Sequence, residues 1–224
     1  MTAVSVIIPV RDGERYLAEA IESVLGQTAP PAEVIVVDDG STDASVEVAH
    51  GFAPVVRCVR QEAAGLAAAC NRGLAEITGE LVSYIDADDL WVPGKLALQG
   101  RRLAVEPGLD AVFGHAREFL SPDLTDPAPR CRTDPTPFRQ RGTMLIRREA
   151  HERAGGFDPS WRVGEFVDWH ARASEAGVQS TMLEDVVLHR RLHATNMSRH
   201  NEDARVDFTR VARAALQRRR AGEP

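Results

Sequence analysis

Two periodicities alternate along the first ninety residues. Ala3 to Val10 and Glu33 to Asp38 are nearly continuous apolar runs of strand length, the first stopped by Pro9 and the second preceded by the breaker Pro30-Pro31. Between them, Glu14 to Gly26 carries Leu17, Ala20, Ile21, Val24 and Leu25 at helical spacing. The alternation repeats: Ser41-Thr42-Asp43 predicts the cap of a helix ending near Gly51, Val55 to Val59 a strand, Gly65 to Ile77 an alanine-rich helix and Glu80 to Asp86 a fourth strand. Strands and helices taken in turn imply right-handed crossovers and a mostly parallel sheet, an α/β, doubly wound fold.

The pattern then changes. Pro93 to Val105 is predicted helical and Asp110 to His115 strand-like, but Ser121 to Phe138 holds Pro122, Pro127, Pro129, Pro135 and Pro137 among polar residues. That stretch reads as a long loop of the kind that forms lids or binding segments. Gly142 to Arg147 predicts a strand, Glu165 to Ala176 a helix ended by Gly177, Met182 to Leu192 a strand, and Asn201 to Arg220 a charged helix.

Two of the apolar runs end in acidic clusters, Asp38-Asp39-Gly40-Ser41 and Asp86-Ala87-Asp88-Asp89. A parallel sheet presents the C-terminal ends of its strands at one rim, so carboxylates from both runs can converge there. Clustered carboxylates repel one another and lose hydration unless a cation or hydrogen-bond donors hold them. Asp-Gly-Ser is also ordinary turn chemistry. The three carboxylates between Asp86 and Asp89 point more strongly to a hard divalent cation, Mg²⁺ or Mn²⁺, which binds one or two protein carboxylates together with substrate phosphates.

Composition narrows the classes. The 224 residues, 43% hydrophobic and 27% charged, suffice for one ample core with a C-terminal extension. A net charge of −6 argues against nucleic acid as a partner bound by neutralising many phosphates. Cys58, Cys70 and Cys131 have no metal-ligand spacing and predict reduced, structural thiols of a cytoplasmic protein. The start of the sequence has no signal-peptide pattern and no apolar run reaches the roughly 20 residues of a bilayer span, so any membrane contact is expected to be peripheral.

Taken in order, Ser5-Val6-Ile7-Ile8-Pro9-Val10-Arg11-Asp12-Gly13-Glu14, Val36-Val37-Asp38-Asp39-Gly40-Ser41-Thr42-Asp43 and Ile85-Asp86-Ala87-Asp88-Asp89 resemble the successive motifs of the family 2 glycosyltransferases, whose fold is of GT-A type. The resemblance runs from about residue 3 to about residue 198. It implies inverting transfer of a sugar from a nucleoside diphosphate sugar, with Mg²⁺ or Mn²⁺ held by the DxD aspartates. Pro9, Val10 and Glu14 would line the nucleoside pocket, Asp38 or Asp39 would meet the base, Asp86 the ribose or sugar, and Asp88 would be the principal metal ligand. Gly155-Gly156-Phe157-Asp158 is similar to the segment preceding the family's catalytic helix, which here opens Gly164-Glu165-Phe166-Val167-Asp168-Trp169.

Phe166 stands where the second carboxylate of a Glu-Asp pair is expected. Glu165 and Asp168, three apart and on one helix face, are therefore the candidate bases, with Glu165 favoured by its place at the helix start. Leu188 to Ser198 resembles a C-terminal motif that closes over the diphosphate, in which Arg191 would contact phosphate and His193 would be a metal ligand or phosphate contact. Cys70 stands where the family often has an arginine, with Arg72 as a candidate replacement. Trp91 and Trp169 read as core residues or as platforms for a sugar ring.

The organisation this implies is a nucleotide-sugar-binding half (1–115), an acceptor and catalytic half of the same domain (116–200) and a C-terminal helix (201–224), with a homodimer compatible. Acceptor choice (saccharide, lipid-linked, peptide or small molecule) would lie in Ser121 to Arg141 and the last helix. A catalytically inactive sugar-nucleotide-binding module is the alternative that Phe166 raises. A nucleotidyltransferase would want a glycine-rich basic loop after the first strand, where Arg11-Asp12-Gly13 stands.

Overall fold

The computed structural model describes residues 2–122, 124, 131–161, 163–194 and 196, with 210, 211, 213, 214, 217 and 218 near the C-terminus. In chain order the elements are β1 (Val4–Val10), α1 (Leu17–Leu25), β2 (Glu33–Asp38), α2 (Ser45–His50), β3 (Val56–Arg60), α3 (Leu66–Glu76), β4 (Leu81–Tyr84) and β5 (Leu90–Trp91). There follow α4 (Lys95–Val105), β6 (Ala111–Leu120), β7 (Thr136–Phe138), β8 (Leu145–Arg147), α5 (Arg148–Ala154), α6 (Glu165–Glu175) and β9 (Ser180–Leu192).

The strands form one sheet in the order β3-β2-β1-β4-β8-β6-β9-β5, with β7 on β6. β3, β2, β1 and β4 are parallel, β8 runs against both of its neighbours, and β6 and β9 return to the first direction. Helices cover both faces, and this is why the strands read as unbroken apolar runs. Val4, Val6, Ile8 and Val10 of β1 enter a core shared with Leu17 and Ile21 of α1 and Leu96 and Leu103 of α4. Ile7, between them, enters the opposite core with Ala67 and Cys70 of α3 and Trp169 of α6. The α/β, doubly wound architecture expected from the alternation is the one observed.

Several details differ from the sequence reading. α2 begins at Ser45 and not in Ser41-Thr42-Asp43, whose side chains bond the loop after β1, Asp43 with one oxygen while its other accepts from the Ser45 N–H. β6 continues five residues past His115, paired with β9 beyond a register shift. The expected Pro-rich loop ends in a strand, β7, whose Thr136 and Phe138 pair with Ala116 and Gly114. Residues 123 and 125–130 of that loop lie outside the described residues, as do Thr195, Met197 and Ser198 of the C-terminal motif. Of the helix expected over Asn201 to Arg220, the described residues between 210 and 218 are helical and the rest lies outside. Among the described residues no helix is long and apolar enough to cross a membrane.

One buried polar network bears on the site. A short 3-10 turn, Arg141–Thr143, precedes β8. The carbonyl of Gly142 accepts from Trp91 Nε1 (2.9 Å) and that of Thr143 from Gln99 Nε2 (2.7 Å). The carbonyl of Met144 accepts from Ser83 Oγ and from Lys95 Nζ (3.2 Å). Burial pushes the Lys95 amine well below its usual pKa, and Nζ lies 4.0 Å from the centre of the Trp91 ring. Three successive carbonyls that no ladder reaches are thus each met by a side chain.

Candidate active site

The C-terminal ends of β1, β2 and β4 open on one rim, and the loops after them carry the acidic clusters. The loops after β1 and β2 are laced together. Asp12 Oδ1 accepts from the Thr42 backbone N–H (2.7 Å), Asp43 Oδ2 from that of Glu14 (2.9 Å), and Glu14 Oε2 from that of Ala44 (2.8 Å). Pro9 and Val10 are buried at the last rungs of β1, opposite Val37 and Asp38. Asp38 is buried, accepts from the Ser41 N–H and lies 3.3 Å from Arg60 Nε. Asp39 accepts from Gln61 Nε2 (2.7 Å) and from the backbone N–H groups of Ala64 and Gly65 (both 2.8 Å). Both carboxylates of the first cluster therefore shape the rim.

The second cluster is organised differently. The carboxylates of Asp86, Asp88 and Asp89 have ligand atoms within 4.8 Å of one another. Burial raises the pKa of Asp86, Arg141 works against that, and Asp88 adds to it. Asp89 is raised well above the usual carboxylate range by burial and then by Asp88 and Asp86. Crowded oxygen donors whose charges are mutually unfavourable fit a hard divalent cation, whose charge offsets both burial and the mutual repulsion.

β9 closes this loop from the side. Arg191 is buried: its N–H donates to Asp89 Oδ1 (2.8 Å), Nε to the Asp88 carbonyl (3.0 Å) and Nη2 to Glu19 Oε2 (2.7 Å). Its guanidinium lies over the Tyr16 and Phe119 rings, at 4.6 and 4.7 Å. His193 Nε2 is 2.8 Å from Asp88 Oδ2, which also accepts from Asn196 Nδ2 (3.1 Å). Arg191 thus holds the acidic loop, while His193 and Asn196 orient the carboxylate of Asp88.

The two candidate bases have different surroundings. Asp168, 3% exposed in its side chain, pairs with Arg172 Nε (2.9 Å) and Arg218 Nη1 (3.0 Å), and so ties α6 to the C-terminal segment. Glu165 opens α6 behind Gly164, whose φ of 89° suits a residue without a side chain. Gly164→Ala is expected to cost about 1 kcal/mol, read as a fall of a few degrees in Tm, because alanine resists this left-handed conformation. The Gly155-Gly156 segment is anchored by Asn71 of α3, which bonds both the carbonyl and the N–H of Phe157 (2.7 and 2.8 Å). A Cβ on Gly156 would lie 2.7 Å from Asn71 Oδ1, so glycine is needed for this approach.

Arg141 completes the site, and the sequence reading placed it only in the acceptor region. It is buried, with Nε and Nη2 donating to Asp86 Oδ1 (3.0 and 2.6 Å) and Nη1 to Glu165 Oε1 (2.6 Å). Burial opposes its charge, but Asp86 and Glu165 outweigh burial and raise its pKa. The one available signal was an arginine three residues before the apolar run Met144-Leu145-Ile146. Cys70 lies against the same group: burial pushes its thiol up to about 12, with Arg141 the first opposing influence. Arg72 does not replace it, since it pairs with Glu76 (2.8 Å) on the helix surface. Trp91 and Trp169 are both buried, with Trp169 Nε1 donating to the Gly155 carbonyl (2.9 Å), which leaves neither face open to a sugar ring. Phe166 is likewise core, packed edge-on against Phe113 at 6.2 Å.

Comparison with known proteins places this geometry among relatives. The family model described as Glycosyl transferase family 2 matches residues 5–157. Glycosyltransferase GlyA of Streptococcus pneumoniae is 41% identical over 119 residues, covering 52% of this chain and 17% of GlyA. An uncharacterized glycosyltransferase of Rickettsia felis is 28% identical over 225 residues, covering 91% of this chain and 37% of its own length. The chain thus spans well under half of these curated relatives. Among solved structures, S. aureus TarS in complex with UDP-GlcNAc superposes with a TM-score of 0.74 at 19% identity, over 94% of this chain and 65% of that one. The mannosyltransferase PcManGT from Pyrobaculum calidifontis, in complex with GDP-Man and Mn²⁺, gives 0.73 at 22% identity over 100% of this chain and 65% of that one.

Proposed function

Because the chain belongs to glycosyl transferase family 2, we propose that it moves a sugar from a nucleoside diphosphate sugar to a hydroxyl, amine or thiol acceptor, with inversion at the anomeric carbon. The observation that carries this reading is the Arg141 bridge, which brings Glu165 and Asp86 to the two sides of one guanidinium, each 2.6 Å away. Neighbours of similar fold crystallised with UDP-GlcNAc and with GDP-Man and Mn²⁺ support the donor class and the ion class.

Glu165 is the base. As the acceptor atom attacks the anomeric carbon from the face opposite the diphosphate, its proton passes to a Glu165 carboxylate oxygen and the bond to the diphosphate breaks. Asp88, with Asp86 and Asp89 beside it, would hold Mg²⁺ or Mn²⁺, and His193 would align the Asp88 carboxylate or join it as a ligand. The ion, when bound, neutralises charge on the departing diphosphate. Asp168 serves the packing of α6, and Arg191 the shape of the acidic loop. Pro9, Val10 and Glu14 build the nucleoside side of the rim with Asp38 and Asp39. The acceptor, whether saccharide, lipid-linked, peptide or small molecule, enters beside the Ser121 to Arg141 segment. Three unpaired thiols, Cys58, Cys70 and Cys131, suit a cytoplasmic setting.

Asp88→Ala is expected to abolish Mn²⁺ uptake, measured by titration calorimetry, and Mn²⁺-dependent release of free UDP or GDP from their sugar conjugates. Unchanged Mn²⁺ uptake in this variant would overturn the reading. Donor binding without release of nucleotide by the wild type, across a broad acceptor panel, would instead identify a sugar-nucleotide-binding module.

A further inference from the structure

We propose that Arg141 is a positioning residue, which fixes the Glu165 carboxylate beside Asp86 and acts as a resident counter-charge that opposes metal binding in the absence of nucleotide. The inference rests on the assignment of Glu165 as base and Asp88 as metal ligand.

A guanidinium is planar, and its donors leave in fixed directions, so contacts from Nε and Nη2 to one oxygen of Asp86 and from Nη1 to one oxygen of Glu165 hold the two acids at set positions around one group. Glu165 stands on α6 and Asp86 on the loop after β4, elements distant in sequence, and among the described residues no other side chain is seen to bond both. Arg141 itself cannot retreat. The three residues that follow it have their carbonyls held by Trp91, Gln99, Ser83 and Lys95, all from β4 and the segment that runs on from it. The acidic loop and the turn bearing Arg141 are therefore anchored to the same piece of scaffold.

The charge has a consequence of its own sign. A fixed cation bonded to Asp86 repels a divalent ion arriving alone, and a diphosphate brings enough negative charge to reverse that balance. A residue that only stabilised the fold would not alter metal affinity in this direction.

The test compares wild type, Arg141→Met, Arg141→Lys and Asp88→Ala, using Mn²⁺ alone as the probe and then turnover of the donor that wild type accepts. Circular dichroism and Tm establish folding. For Arg141→Met, Mn²⁺ binding without nucleotide is expected to tighten about fivefold or more, while kcat falls about 100-fold and the donor KM changes less than about threefold. Arg141→Lys, which keeps the charge and loses the fork, is expected to retain wild-type Mn²⁺ affinity and to lose kcat, and it carries the test if the Met variant does not fold. Unchanged or weaker Mn²⁺ binding by a folded Arg141→Met, or full kcat in Arg141→Lys, would overturn the inference while leaving the proposed function intact. Mn²⁺ binding unaffected by Asp88→Ala would overturn the functional reading itself.

Discussion

Glu165→Gln is expected to lower kcat by about 10²- to 10⁴-fold, the span associated with loss of a general base, with donor KM nearly unchanged. Glutamine keeps the length of the side chain and can still accept from Arg141 Nη1, so the bridge to Asp86 survives and only the proton acceptor is lost. Asp168→Asn supplies the contrast. Its carboxylate is spent on Arg172 and Arg218, which are part-exposed, so the expected loss is about 1–2 kcal/mol of stability with turnover largely kept. Steady-state kinetics beside thermal melts separates the two roles. Loss of turnover in Asp168→Asn with none in Glu165→Gln would reverse them.

The second large effect is on stability against pH. His151 of α5 is fully buried, with ring centres of Trp169, Phe157 and Tyr84 at 4.8, 5.5 and 5.8 Å and Tyr84 Oη 3.0 Å from its Nε2. Burial lowers its pKa from 6.5 to about 4, with Arg172 acting in the same sense and Glu152 against it. Between these values the unfolded chain binds a proton that the folded chain refuses, so stability rises with pH through this window and is lost as pH falls from about 6.5 to about 4. The full loss is about 3 kcal/mol, at roughly 1.4 kcal/mol per pH unit. His151→Phe is expected to be less stable at pH 7, because Tyr84 loses a partner, yet to show a flatter decline between pH 6.5 and 4.5. Denaturant melts across that range compare the slopes, and equal slopes in the two proteins would exclude His151 as the cause.

Legibility in the sequence followed the range of the interactions. β1 and β2 were legible because strands buried on both faces must be apolar throughout, although Pro9 lies inside β1, which runs one residue further to Val10, while Asp38 does end β2. The two-residue β5 was not, since Leu90 and Trp91 are strand only by virtue of pairing with His189 and Leu188 a hundred residues away. The same holds for the far half of β6, which exists through β9. Within the site, the acidic loop announced itself by charge density in an apolar context. Arg141 had no such signature, because a buried arginine is made tolerable by Asp86 and Glu165, neither of them near it in sequence. Asp168 was readable as a carboxylate on the right helix face, but its partners, Arg172 one turn on and Arg218 from the C-terminal segment, decide what it does.

The side chains that grip Gly142, Thr143 and Met144 make the end of the Pro-rich stretch a fixed post. The Pro-rich stretch ahead of β7 can be lengthened, shortened or exchanged while the reacting groups keep their spacing, since none of the four gripping residues belongs to it. Grafting foreign segments ahead of Thr136 is therefore the natural route to redirecting this scaffold toward new acceptors.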